Sequence, residues 1–376
     1  MTDAPPIKTA LTELVGIKYP IVQAAMGYVA GARLTAATSA AGGLGIIASA
    51  TMSTTELLSA IKEVKARTAA PFGVNLRSDA PDARKRVELL ISARVRVASF
   101  ALAPRQDLVA RLKDAGVVVV PSVGARRHAE KVAAWGADAV VVQGGEGGGH
   151  TGQVATTILL PQVVDAVGIP VIAAGGFFDG RGLAAALAYG AAGIAMGTRF
   201  LLTSDSPVPR AVKDRYLAAS VADTLVTDAL DGVPQRLLRT PFTDYLVRRG
   251  VARLVRSVRS AAEFRRRTGT TWRAMMREGA AMYRAHDVPA WQVLLAANTP
   301  ALLRAAMVDG RTDLGVMATG QVVGLIDDLP SCAELIDRIV SQAEAVLAGF
   351  AGPARPGDGE MHEDISLSRD REGDGR

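Results

Sequence analysis

Eight short apolar runs punctuate the first two hundred positions of the chain. They are Pro20–Met26, Leu44–Ser49, Phe72–Arg77, Val95–Ala101, Val117–Val123, Ala139–Gly144, Pro170–Gly176 and Gly193–Thr198. Between them lie stretches in which apolar residues recur three or four apart: Arg33–Ala41, Thr54–Ala66, Ala83–Ile91, Gln106–Ala115, Arg126–Trp135, Thr157–Val167 and Gly180–Tyr189. The runs are continuously apolar rather than alternating. That predicts strands buried on both faces, as in a parallel sheet covered by helices. Their starts fall about 20–30 residues apart, the size of one strand–helix unit. Eight such units closing on themselves predict an α/β fold of the (β/α)8 TIM-barrel type. A doubly wound open sheet is the main rival, but it opens with a G-x-G-x-x-G turn after its first strand, and none follows Met26.

After Thr198 the rhythm changes. The pattern from Pro209 to Met307 is mostly helical, and Asp313–Gly320 reads as a short strand or loop. Ser331–Phe350 reads as a helix with Ser331 as its N-cap, since Leu335, Ile336, Ile339, Val340 and Val346 share one face. The expected organisation is a cofactor-binding barrel over 1–208 and a helical, arginine-rich insertion or lid over 209–312. A return segment and helix packing on the barrel would follow over 313–352, then a disordered tail over 353–376.

Composition narrows the class. A chain of 376 residues that is 49% hydrophobic can build a large core, which excludes a mainly disordered protein. The lone cysteine, Cys332, excludes an internal disulfide framework and a cysteine-built zinc site, and suits a reducing cytosol. No metal site is expected. Runs such as Val117–Val120 are far too short to cross a bilayer, and no signal peptide is read at Met1–Pro6. The expectation is a soluble cytoplasmic protein with no membrane partner. Its oligomeric state is left open.

The formal charge of +6 is unevenly spread. Ten arginines fall between Arg248 and Arg277, with Glu263 the only acid among them, whereas the tail from Arg355 carries seven acids against four bases. The basic segment fits a solvated helix face, a nucleic-acid surface or a site for a phosphorylated small molecule such as a nucleotide or coenzyme A. No nucleic-acid-binding motif accompanies it, so no nucleic-acid partner is expected.

In a parallel barrel the chemistry sits where the strands end. Those ends carry Gln23-Ala24-Ala25-Met26, Asn75, Gln143-Gly144, Gly175-Gly176 and Gly197-Thr198. The loop Gln143–Gly152 holds six glycines in ten positions and one histidine, His150. Glycines there let backbone N–H groups approach an anion or a flat ligand, and a histidine can exchange protons near neutral pH. The plainer alternative is a flexible loop whose histidine only hydrogen-bonds backbone. Glycines ending the seventh and eighth runs suit a cofactor phosphate, although tight strand–helix turns need glycine too.

These pieces together resemble the 2-nitropropane dioxygenase or nitronate monooxygenase family of FMN-dependent barrels. The matching stretches are Pro20–Met26, Ala41–Gly45, Phe72–Asn75, Gln143–Gly152, Ala174–Gly176 and Met196–Arg199, with Gly320–Ile336 beyond the barrel. Ala25 stands where the family often has proline. The resemblance implies FMN held by Asn75, Gln143, Gly148, Gly149, Gly175, Gly176, Ala195, Met196, Gly197 and Thr198, with Met26 against the flavin and His150 as catalytic base. The family includes nitronate oxidases, enoyl-thioester reductases and CoA-ester oxidoreductases of bacterial steroid breakdown. Tyr28–Leu34, Val97–Pro104, Gly175–Gly182 and Leu295–Pro300 look most like the last group. That implies an acyl-CoA substrate into which a C=C bond is introduced. The arginine cluster would then face the coenzyme's phosphates. Nitronate oxidation with O2 and enoyl-thioester reduction are the alternatives.

Overall fold

The computed structural model describes residues 7–101, 104–248 and 299–351. After α1 (Ala10–Val15), the barrel strands are β1 (Ile21–Gln23), β2 (Leu44–Ala48), β3 (Phe72–Leu76), β4 (Val97–Phe100), β5 (Val118–Val123) and β6 (Val140–Gln143). A two-residue strand, β7 (Gly149–His150), lies in the next loop, and β8 (Val171–Ala174) and β9 (Gly193–Met196) complete the barrel. The helices between them are α2 (Ala32–Ala40), α3 (Thr54–Arg67), α4 (Ala83–Ser92), α5 (Gln106–Asp114), α6 (Arg126–Ala134), α7 (Thr156–Val164) and α8 (Gly180–Ala188). All neighbouring barrel strands pair in parallel, and β9 returns to β1 in the register Ile21–Ile194, Val22–Ala195, Gln23–Met196. The eight apolar runs are therefore the eight strands of a closed (β/α)8 barrel, each shorter than its run because the flanking residues form the turns.

The continuous apolar pattern has the cause read from it. Strand side chains alternate between the barrel interior and the helical layer, and both are dry. Val22, Leu44, Ile46, Val118, Val120 and Ile172 fill the interior. Val74, Leu76, Ala98 and Val119 face the helices with Leu57, Ile61, Leu90 and Leu112. Burying one such side chain fully is worth about 1.5–3 kcal/mol. Local signals set the helix starts. Ser53 accepts the Glu56 N–H while the Glu56 carboxylate accepts the Ser53 N–H, a reciprocal cap on α3.

Beyond the barrel come α9 (Thr198–Leu201) and α10 (Arg210–Leu217), then β10 (Thr224–Thr227), β11 (Gln235–Leu238) and α11 (Pro241–Arg248). The hairpin departs from the mostly helical pattern expected over Pro209–Met307. Its strands are only four residues long and pair antiparallel, Thr224 with Leu238 through Thr227 with Gln235. Then β11 pairs on its other edge with β7, so a three-stranded sheet stands at the strand-end mouth of the barrel. The segment read as strand or loop contributes a single bridge, Ala318 to Leu237. The arginine run beyond Arg248 and the tail over 353–376 lie outside the described residues. No helix among the described residues is long and apolar enough to cross a membrane.

The last helices are α12 (Thr299–Met307) and α13 (Cys332–Ala351). Ser331 caps α13 as expected: its Oγ accepts the Glu334 N–H and its own N–H donates to the Glu334 carboxylate. α13 packs on α8 and α2. The approach to α8 is backbone-close at Gly180, where a Cβ would lie 2.4 Å from the Ile339 carbonyl oxygen and 2.5 Å from the Ala343 nitrogen. Gly180→Ala is expected to push α13 off the barrel and cost about 1–3 kcal/mol. A lowered thermal midpoint would register it, and an unchanged midpoint would show that the seam yields freely.

Candidate active site

A cavity of about 360 Å³ opens where the eight strands end. His150 and every residue that the family resemblance places at the flavin line it. Met26 follows β1, Asn75 sits near the end of β3 and Gln143 ends β6. Gly148, Gly149 and His150 come from the glycine-rich loop, and Gly175 and Gly176 follow β8. Ala195 and Met196 belong to β9, and Gly197 and Thr198 open α9.

Two kinds of lining face each other. At the ends of β3 to β6 the lining is neutral and polar: Asn75, Ser99, Ser122 and Gln143. Asn75 is 8% exposed and donates its side-chain N–H to Ser99 Oγ at 3.1 Å. At β8 and β9 the lining is backbone. Gly175 and Gly176 have φ of +90° and +87°, which side chains rarely adopt, so the turn needs glycine at both. Neutral amides and hydroxyls on one side and exposed backbone on the other fit a flat heteroaromatic ring with a phosphate tail. The donor set and cavity size therefore suit FMN.

The glycine loop is held in place by three other segments. Glu146 accepts from the Thr156 N–H at the start of α7, at 3.1 Å, and from the Thr156 hydroxyl at 2.7 Å. The Arg236 guanidinium on β11 donates to the Gly145 carbonyl at 2.9 Å. Burial holds that guanidinium below its ordinary value, with the Glu146 charge opposing. Gly148 packs so tightly on the return segment that a Cβ would lie 2.5 Å from the Thr319 carbonyl carbon. The Gly320 N–H donates to Thr198 Oγ1 at 2.9 Å, which ties that segment to the start of α9 as well.

His150 stands at the rim. Its side chain is 58% exposed, and Nε2 lies 2.8 Å from the Asp231 carboxylate, which is 10% exposed. Gln143 fixes its backbone by donating to the His150 carbonyl at 2.7 Å. Asp231 comes from the hairpin loop and also accepts from Gln235 Nε2 and, at 3.1 Å, from the Val233 N–H. Burial pushes the Asp231 carboxyl up, but hydrogen bonds and charge from His150, with Gln235 and Val233, outweigh it and hold it below the ordinary range. Asp231 is therefore an anion at neutral pH.

Sequence reasoning missed Asp231, Gln235, Ser99 and Ser122. The signal for the first two was the Asp231-Gly232-Val233-Pro234 turn between two short β-prone stretches, which marks a hairpin. The lone cysteine lies elsewhere. Cys332, the first residue of α13, is buried, and desolvation pushes its thiol up to about 12, so it supplies no thiolate.

The family model described as nitronate monooxygenase matches residues 8–86 and 81–342. The chain is 63% identical over 341 residues to a Mycobacterium tuberculosis protein named (3aS,4S,5R,7aS)-5-hydroxy-7a-methyl-1-oxo-octahydro-1H-indene-4-carboxyl-CoA dehydrogenase. That match covers 90% of this chain and 96% of the relative. A Rhodococcus jostii protein of the same name is 61% identical over 338 residues, again covering 90% and 96%. Among solved structures, FabK from Thermotoga maritima superposes with a TM-score of 0.76 at 35% identity, covering 92% of this chain and 99% of that one.

Proposed function

The chain belongs to the nitronate monooxygenase family and is an oxidoreductase, and on that premise we propose that it introduces a C=C bond into a bicyclic CoA thioester of steroid C/D-ring breakdown, with FMN as its cofactor. One observation carries the reading: identity of 63% and 61%, over 90% of the chain, with two proteins that bear this activity in their names. Residues 1–208 then hold most of the cofactor, Gln235, Thr299, Leu303 and Met307 border the cavity from the segment that follows, and the enzyme works in the cytoplasm.

Asn75, Gln143, Gly148 and Gly149 would hold the flavin ring, with Met26 against it, and Gly175, Gly176 and Ala195 to Thr198 would hold its ribityl phosphate. Bound there, FMN would accept the hydride, with its two electrons, that leaves the substrate's β-carbon. The chain's own part is proton chemistry. A thioester carbonyl acidifies the adjacent C–H, and His150, at the rim of the cavity, takes that proton. Backbone N–H groups of the glycine loop are the donors at hand for the enolate oxygen. An electron acceptor must then reoxidise the reduced cofactor.

The test is anaerobic stopped-flow spectroscopy. The bicyclic hydroxy acyl-CoA should bleach the oxidised flavin band, while a simple alkyl nitronate should not. Bleaching by the nitronate alone would move the enzyme to nitronate oxidation. That second reading has the description of the family model behind it.

A further inference from the structure

We infer that Asp231 is the positioning residue of His150: by accepting the Nε2 hydrogen it fixes the imidazole in the tautomer whose bare nitrogen is Nδ1. The inference rests on the reading above that His150 removes the substrate proton, and it says which ring nitrogen does so.

The argument is one of donors and acceptors. An ionised carboxylate only accepts hydrogen bonds. Nε2 lies 2.8 Å from Asp231 Oδ2, so the hydrogen between them belongs to Nε2. The Gln235 amide nitrogen lies 3.2 Å from the same Nε2, but it too is a donor and gives its hydrogen to Asp231 Oδ2. No acceptor role is left at Nε2, and Nδ1 keeps the lone pair that a base needs.

The dyad is built rather than incidental. Gln235 is 3% exposed and pairs directly with His150 across the β11–β7 ladder, so imidazole and amide hang from facing positions. Asp231 is held on its other oxygen by the Val233 N–H. Two charged groups beside the ring are already engaged elsewhere. Glu146 of the glycine loop is bonded to Thr156, and Arg236 of β11 is bonded to Gly145 and Thr224. Asp231 is the acid that reaches the ring. The barrel supplies the histidine, and the hairpin that follows the barrel supplies the group that orients it.

The tautomer can be read directly from ¹⁵N-labelled histidine in the flavin-loaded enzyme, at a pH where the ring is neutral. The chain has four histidines, and the resonances lost in His150→Ala identify the one in question. The expected wild-type pattern is a protonated Nε2 and a bare Nδ1. In Asp231→Ala the acceptor is gone and the Gln235 amide, 3.2 Å from Nε2, is free to donate to it, so the Nδ1–H form should take over. In that variant kcat should fall about 10²–10⁴-fold. KM should stay within about twofold, and the flavin spectrum should not change. Asp231→Glu should keep the wild-type tautomer and recover part of kcat.

A wild-type enzyme carrying Nδ1–H would overturn the inference even if Asp231→Ala did not fold. So would an Asp231→Ala enzyme with unaltered kcat, or one whose loss follows flavin release. Unchanged turnover in His150→Ala is a different result. It removes the base itself, and with it the proton-abstraction reading, whatever the tautomer proves to be.

Discussion

His150→Ala should lose turnover by about 10²–10⁴-fold, the usual contribution of a positioned general base, and should purify with its flavin still bound. The two halves of that expectation come from different parts of the residue. The backbone of His150 belongs to β7, where it pairs with Gln235 and its carbonyl accepts from Gln143. Alanine keeps both bonds. Only the imidazole is lost, and it stands at the rim with more than half its surface exposed, so little packing goes with it. Asp231 loses one partner but keeps Gln235 and Val233. Steady-state turnover on the acyl-CoA, measured beside the flavin-to-protein ratio, checks both halves. Full turnover in the variant would end the proton-abstraction role, while loss of flavin would mean that the ring also seals the cofactor's edge.

Gly148→Ala should do the opposite and act through the cofactor. A Cβ there meets the Thr319 carbonyl carbon at 2.5 Å, the Gly320 nitrogen at 2.6 Å and the Thr319 Cα at 2.9 Å. These are backbone atoms, with no rotamer through which to retreat, so the glycine loop and the return segment must separate. Overpacking of this kind costs about 1–3 kcal/mol. Here it falls on the wall of the cavity, so the enzyme should lose most of its flavin on gel filtration and unfold at a lower temperature. Gly152→Ala is the control, because nothing lies closer to its Cβ than the Gly124 carbonyl oxygen at 4.0 Å. If both variants keep their flavin alike, the Gly148 contact does not shape the cofactor site.

The barrel was legible because its physics is repetitive. Val140-Val141-Val142 or Val171-Ile172-Ala173 is apolar at every position, since both strand faces are dry, and no local alternative competes. The histidine loop was legible because six glycines in ten positions have few other uses. The hairpin was not. Thr224-Leu225-Val226-Thr227 is half-exposed along most of its length, and Gln235 and Arg236 spend their side chains on the site and the glycine loop rather than on a core. Neither strand shows a clean period. Asp231 could not be paired with His150 from sequence, because 81 residues separate them and only the β11–β7 ladder brings them together.

The bond from the Gly320 N–H to Thr198 joins residues 122 apart in the chain. The same return segment donates the Gln321 N–H to the Glu146 carbonyl and closes over Gly148. At about 5–20 residues per second of synthesis, the ribosome delivers every barrel strand well before it delivers Gly320. A nascent chain halted after β9 therefore has its eight strands but only an open-sided cradle. On the proposed reading the cofactor is captured only once that segment is in place, and C-terminally truncated products would leave the ribosome colourless.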